Sequence, residues 1–142
     1  MNVFPKKILL LGSGELGKEV AIAAKRLGCY VIACDRYINA PAMQIADQFE
    51  VLNMNNDIEL RQVIYKCDPD IIIPEIEALA VDILKEIEKK ITVIPNARAT
   101  DITMNRDKIR DLVSNELNIR TAKFSYAINQ DELDSKADKI GY

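Results

Sequence analysis

The stretch KILLLGSGELGKEV, residues 7–20, decides how the rest of the chain is read. The run KKILLLG, 6–12, is continuously apolar after its lysines, as a strand buried on both faces requires. Glycines follow at Gly12, Gly14 and Gly17 in the pattern G-x-G-x-x-G. A helix-like segment, ELGKEVAIAAKRLG at 15–28, then places Leu16, Val20, Ala23 and Leu27 on one stripe and stops at Gly28. Strand, glycine turn and helix in this order make a nucleotide-type turn. Its glycines let a ligand approach the backbone, and the free N–H groups at the helix start favour a phosphate.

Outward from this unit, strand-like and helix-like segments alternate. CYVIACD (29–35) and QFEVLNM (48–54) read as strands two and three. Asp57 is expected to cap a helix over 58–67. DIIIPE (70–75) is the most β-branched strand candidate, followed by an amphipathic helix over 78–90 and a fifth strand, ITVIPN, at 91–96. Asn105 opens a helix over 106–117, and residues 121–142 read as a short strand, a polar turn and a charged helix from about Gln130. The βαβα order predicts an α/β fold, a doubly wound parallel sheet with helices on both faces. Ligands of such sheets bind beyond the carboxyl ends of the strands. That singles out Gly12 to Gly17, Asp35 to Met43, Pro74 to Glu77 and Pro95 to Arg98.

Composition narrows the chemistry. The 142 residues suit one domain, 49% are hydrophobic, and the net charge is −3 with no basic block, so nucleic acid is not an expected partner. No histidine is present, which removes the usual base at neutral pH and every Ser–His or Cys–His arrangement within this chain. Cys29, Cys34 and Cys67 form no CxxC pair and read as small core residues of a reducing compartment, not as metal ligands. The amino-terminal residues lead directly into a strand, so neither a signal peptide nor a membrane span is expected and the protein reads as cytoplasmic.

Two carboxylate positions qualify the turn. Asp35 ends the second strand, where an acid would hold a ribose in a dinucleotide site. Glu15, however, puts a carboxylate in the first turn of the helix, which suits the helix dipole but would repel a pyrophosphate lying over the turn. Hydroxyls or an amine suit it better. In PEIEA, 74–78, Pro74 stops the ladder and Glu75 projects at the strand end, whereas the dipole of the following helix explains Glu77.

The segments GSGELGKEVAI, DRY-x-x-APAMQIAD (35–47), PEIEA and ARAT-x-x-TMNRD (97–107) occur in this order and at these spacings. Together they resemble the N-terminal part of the formate-dependent phosphoribosylglycinamide formyltransferase 2 family, the glycinamide ribonucleotide transformylases of the ATP-grasp superfamily. The resemblance runs from about Lys6 to Tyr142. It implies a pre-ATP-grasp, Rossmann-like substrate-binding domain over residues 1–120 and the start of an ATP-grasp domain over 121–142. It implies that Glu15, Leu16 and Glu75 contact glycinamide ribonucleotide and that Arg106 contacts ATP; Asp35 then has no dinucleotide to hold and reads as a loop anchor. Gly12, Gly14 and Gly17 remain the phosphate-turn candidates. The implied substrates are glycinamide ribonucleotide, formate and ATP with Mg2+, the implied assembly is a homodimer, and the metal ligands are expected beyond Tyr142, together with the flexible phosphate loop. The chain alone is then expected to be inactive. A sister ATP-grasp carboxylase of purine biosynthesis, a free-standing nucleotide module and an NAD-binding domain are the alternatives.

Overall fold

The computed structural model describes residues 4–141; readings that touch residues 1–3 and Tyr142 lie outside them. Two compact units are present, divided after Met104. The sequence boundary at 120/121 falls inside the second of them.

In the first unit, five parallel strands run β1 (Lys7–Leu11), β2 (Tyr30–Asp35), β3 (Gln48–Val51), β4 (Ile71–Pro74) and β5 (Thr92–Val93), in the spatial order β3-β2-β1-β4-β5. The helices are α1 (Glu15–Arg26), α2 (Asp57–Cys67), α3 (Val81–Ile87) and α4 (Ala97–Met104). The apolar run of β1 does what its composition requires. Leu9 and Leu11 join one core with Ile32, Ile72, Leu60, Ile64 and Leu84, while Ile8 and Leu10 join the other with Val31, Ala33, Ala21 and Ala24. Alternate side chains of a strand point to opposite faces, so a strand covered on both sides must be apolar throughout.

Several details differ from the sequence reading. The buried face of α1 is Gly17, Ala21 and Ala24, not the stripe of Leu16, Val20, Ala23 and Leu27; Leu16, Ala23 and Leu27 are exposed and Val20 is half-buried. The helix lies close to the sheet, and a Cβ on Gly17 would collide with the carbonyl oxygen of Gly12. Small residues therefore occupy the contact face, although larger apolar side chains mark the neighbouring stripe. Asn56, not Asp57, caps α2: its side chain accepts the N–H groups of Ile58 (3.0 Å) and Glu59 (3.3 Å). The ARAT segment forms helix α4, opened by Asn96, whose Oδ1 accepts the Ala99 N–H at 2.8 Å. A short 3-10 turn, Pro41–Gln44, follows β2.

The second unit begins at Asn105. It holds α5 (Arg106–Asp111), a π-helical turn at Leu112–Glu116 and α6 (Gln130–Ile140). The strand expected after residue 120 is absent; 118–127 is irregular backbone. Tyr126 ties the segment together, its hydroxyl lying 2.9 Å from the Asp107 carbonyl oxygen and 3.1 Å from Asp111 Oδ1, while Lys136 donates to the Tyr126 carbonyl at 2.6 Å. None of the described residues of this unit is fully buried.

Candidate functional site

The strand order reverses between β1 and β4, so the crevice beyond their carboxyl ends is the topological switch point, where ligands of open α/β sheets bind. The glycine turn leaves β1 there, and PEIEA leaves β4 there. The two approach closely. Gly12 has φ +116°, and a Cβ on it would run into Oε2 of Glu75 and stand 2.9 Å from the Ile76 nitrogen. The Glu75 and Ile76 N–H groups both donate to the Leu11 carbonyl, at 2.8 and 3.1 Å. Only glycine fits at Gly12, because both the backbone angle and the neighbour exclude a side chain.

Ser13 is completely buried and fully bonded. Its N–H donates to Asp35 Oδ2 (2.9 Å), its hydroxyl to the Cys34 carbonyl (2.9 Å), and its carbonyl accepts the Ala42 N–H (2.9 Å). Asp35 is 4% exposed, and its other oxygen accepts the Arg36 N–H at 2.7 Å. Three of the sequence segments, GSGELG, DRY…APAM and PEIEA, thus meet around one turn. Asp35 ties the glycine turn to the end of β2 through these bonds. Both its oxygens face backbone amides, and the ribose-holding role of a dinucleotide site finds no support. Ser13 escaped the sequence reading. A serine between two glycines carries no pattern of its own, and only the fold brings Asp35 and Ala42 to it.

Above the turn the surface is open. Glu15 and Leu16 are the first two residues of α1, and Leu16 is 65% exposed despite being apolar. A Cβ on Gly14 would meet nothing within 4 Å, which leaves room for a ligand against the backbone. Glu75 is half-buried, and burial, with the neighbouring Asp35 charge, pushes its carboxyl above the usual glutamate range. Among the described residues, none of Glu15, Asp35 and Glu75 is ion-paired. Asp35 is already occupied by backbone amides, so Glu15 and Glu75 are the carboxylates of this surface suited to hydroxyl or amine donors. Glu77 is exposed and lies four residues before α3, whose first-turn acid is Asp82. The helix dipole therefore does not account for Glu77, contrary to the sequence reading.

Arg106 belongs to the second unit, where it is the exposed first residue of α5. With Ile109, Arg110, Val113 and Thr121 it lines a groove of about 340 Å3. A larger cavity, about 720 Å3, lies between residues 118–125 and α6; none of Glu15, Leu16 and Glu75 lines it. Among the described residues, no group of three or more His, Cys, Asp or Glu side chains is arranged to hold a metal ion, and no helix is long and apolar enough to cross a membrane.

Residues 5–104 match the profile of the ribonucleotide synthetase preATP-grasp domain family. The whole chain is 85% identical to part of a formate-dependent phosphoribosylglycinamide formyltransferase of Prochlorococcus marinus strain NATL2A, and it spans 37% of the length of that relative. Among solved structures, a glycinamide-RNase-transformylase T from Mycobacterium tuberculosis superposes on 96% of this chain and 40% of its own, with a TM-score of 0.86 and 39% identity. A carboxyaminoimidazole ribonucleotide synthase from Aspergillus clavatus, complexed with ATP, superposes on 96% of this chain and 36% of its own, with a TM-score of 0.85 and 25% identity.

Proposed function

The chain belongs to the ribonucleotide synthetase preATP-grasp domain family, and from that premise we propose that it is the N-terminal part of an ATP-dependent, formate-using glycinamide ribonucleotide transformylase. One observation carries the reading. The Glu75 carboxylate packs against Gly12 at the switch point, beside a helix that opens with Glu15 and an exposed Leu16. In this reading Glu15, Leu16 and Glu75 hold the ribonucleotide, with the carboxylates accepting hydrogen bonds from its hydroxyls or amine. The open backbone at Gly14 gives it room. Arg106, a planar cation that keeps its charge, holds phosphate oxygens of ATP. The 85% identity to the Prochlorococcus formyltransferase supports the choice of substrate class.

The reaction of the whole enzyme divides into two displacements. A formate oxygen attacks the γ-phosphorus of ATP, and ADP leaves, which converts a poor electrophile into formyl phosphate. The neutral amine of the ribonucleotide then attacks the formyl carbon, phosphate leaves, and the nitrogen loses a proton. Magnesium, held by residues elsewhere in the protein, supplies charge neutralisation to the phosphoryl transfer. The part played by this chain is orientation, which can lower the barrier substantially by holding the reactants aligned. The same reading makes the protein a cytoplasmic homodimer acting on small molecules.

The test is a fusion of this chain to the remainder of the Prochlorococcus marinus relative. ADP release that requires both formate and glycinamide ribonucleotide is expected. The chain alone should release none. Turnover of an aminoimidazole ribonucleotide with bicarbonate, and not of glycinamide ribonucleotide, would replace this reading with that of a sister carboxylase.

A further inference from the structure

The buried carboxylate at the end of β2 has no expected contact with substrate, yet its surroundings are more specific than packing requires. Asp35 is 4% exposed, and each of its oxygens faces a backbone N–H: Ser13 at 2.9 Å and Arg36 at 2.7 Å. Ser13 is the residue between Gly12, which abuts Glu75, and Gly14, which precedes Glu15. Its hydroxyl and carbonyl are also bonded, to Cys34 and Ala42. The turn therefore has its middle residue pinned, between Gly12, which is buried against Glu75, and Gly14, which borders open space.

We propose that Asp35 is a positioning residue for ribonucleotide binding: through the Ser13 N–H it sets where Glu15, Leu16 and the Gly12–Glu75 contact stand. This rests on the functional reading above. The requirement is for a carboxylate in particular. Both partners are donors, so an asparagine, although the same shape, must turn its own NH2 toward one of them. That leaves a buried N–H without an acceptor.

Asp47 supplies a matched comparison. Its carboxylate also accepts a backbone N–H, that of Val31 at 2.7 Å, but at the opposite, amino-terminal end of β2. Its other oxygen pairs with Lys25, so an asparagine, with one acceptor oxygen, gives up either that ion pair or the Val31 bond, which should lower stability without touching the site.

The experiment compares Asp35→Asn and Asp47→Asn in the fusion enzyme by steady-state kinetics, and in the chain itself by amide hydrogen exchange. Asp35→Asn is expected to raise KM for glycinamide ribonucleotide by about tenfold or more, to leave KM for ATP unchanged, and to speed exchange of the Ser13 and Gly14 amides. Asp47→Asn is expected to lower the melting temperature and leave both KM values alone. The proposal is overturned if Asp35→Asn changes only the melting temperature, or raises both KM values equally. A wild-type fusion that does not use glycinamide ribonucleotide defeats the functional reading instead. In that case unchanged Ser13 exchange in Asp35→Asn still refutes the hold on the turn, and faster exchange still supports it.

Discussion

Gly14 and Gly17 stand three residues apart in one turn, and the structure gives them different work. A Cβ at Gly17 would strike the Gly12 carbonyl, whereas one at Gly14 enters open space. Gly17→Ala should therefore destabilise the protein by about 1–3 kcal/mol, the usual cost of forcing a group into a packed contact. Gly14→Ala should leave stability nearly unchanged but weaken ribonucleotide binding; denaturant unfolding and the KM of the fusion separate the two effects. Glu75 makes a second prediction. The folded state raises its pKa above the ordinary 4.5, so the native protein keeps this proton to higher pH than the unfolded chain. Stability from this group is then present at low pH, and it is lost as pH rises through the folded value. Glu75→Gln should melt at a higher temperature than wild type at pH 7 and lose that advantage near pH 4. The site would thereby hold an acid that function needs and stability does not.

At the scale of elements, the strands were legible because a doubly covered strand leaves a strong signature, a short run with no polar interruption. β1, β2 and β4 all carry it. Their ends led to Glu75 as well, since Pro74 marks where β4 must stop. Helix faces and caps were less legible. The small-residue face of α1 follows from how near the helix lies to the sheet, which is a tertiary fact. In the run Asn55-Asn56-Asp57 any of three residues could cap α2, and only geometry selects Asn56. Replacing it by alanine should cost about 1 kcal/mol, against little for Asp57→Ala, as measured by denaturant unfolding. The Ser13–Asp35 bond lay beyond any local pattern, because its partners are 22 residues apart.

For the whole molecule, the two units differ in how they are held. The first has two cores, one on each side of the sheet, built on Leu9 and Leu11 and on Ile8 and Leu10. The second, from Asn105 onward, relies on exposed hydrogen bonds such as those of Tyr126 and Lys136, and none of its described residues is fully buried. Segments with few buried contacts open at low free energy. Amide exchange on this chain should show β1 and β4 protected to nearly the global unfolding free energy, and α5 and α6 exchanging far faster. Equal protection in both units would contradict that picture.

The claim on which the account turns is that the crevice beyond β1 and β4 holds the ribonucleotide, with Glu75 among its contacts. The most direct measurement is KM for glycinamide ribonucleotide in the fusion enzyme carrying Glu75→Ala. Losing hydrogen bonds to a charged acceptor should raise it by about tenfold or more, with KM for ATP unaltered and the protein still folded. A KM for the ribonucleotide equal to that of the parent fusion would contradict the account.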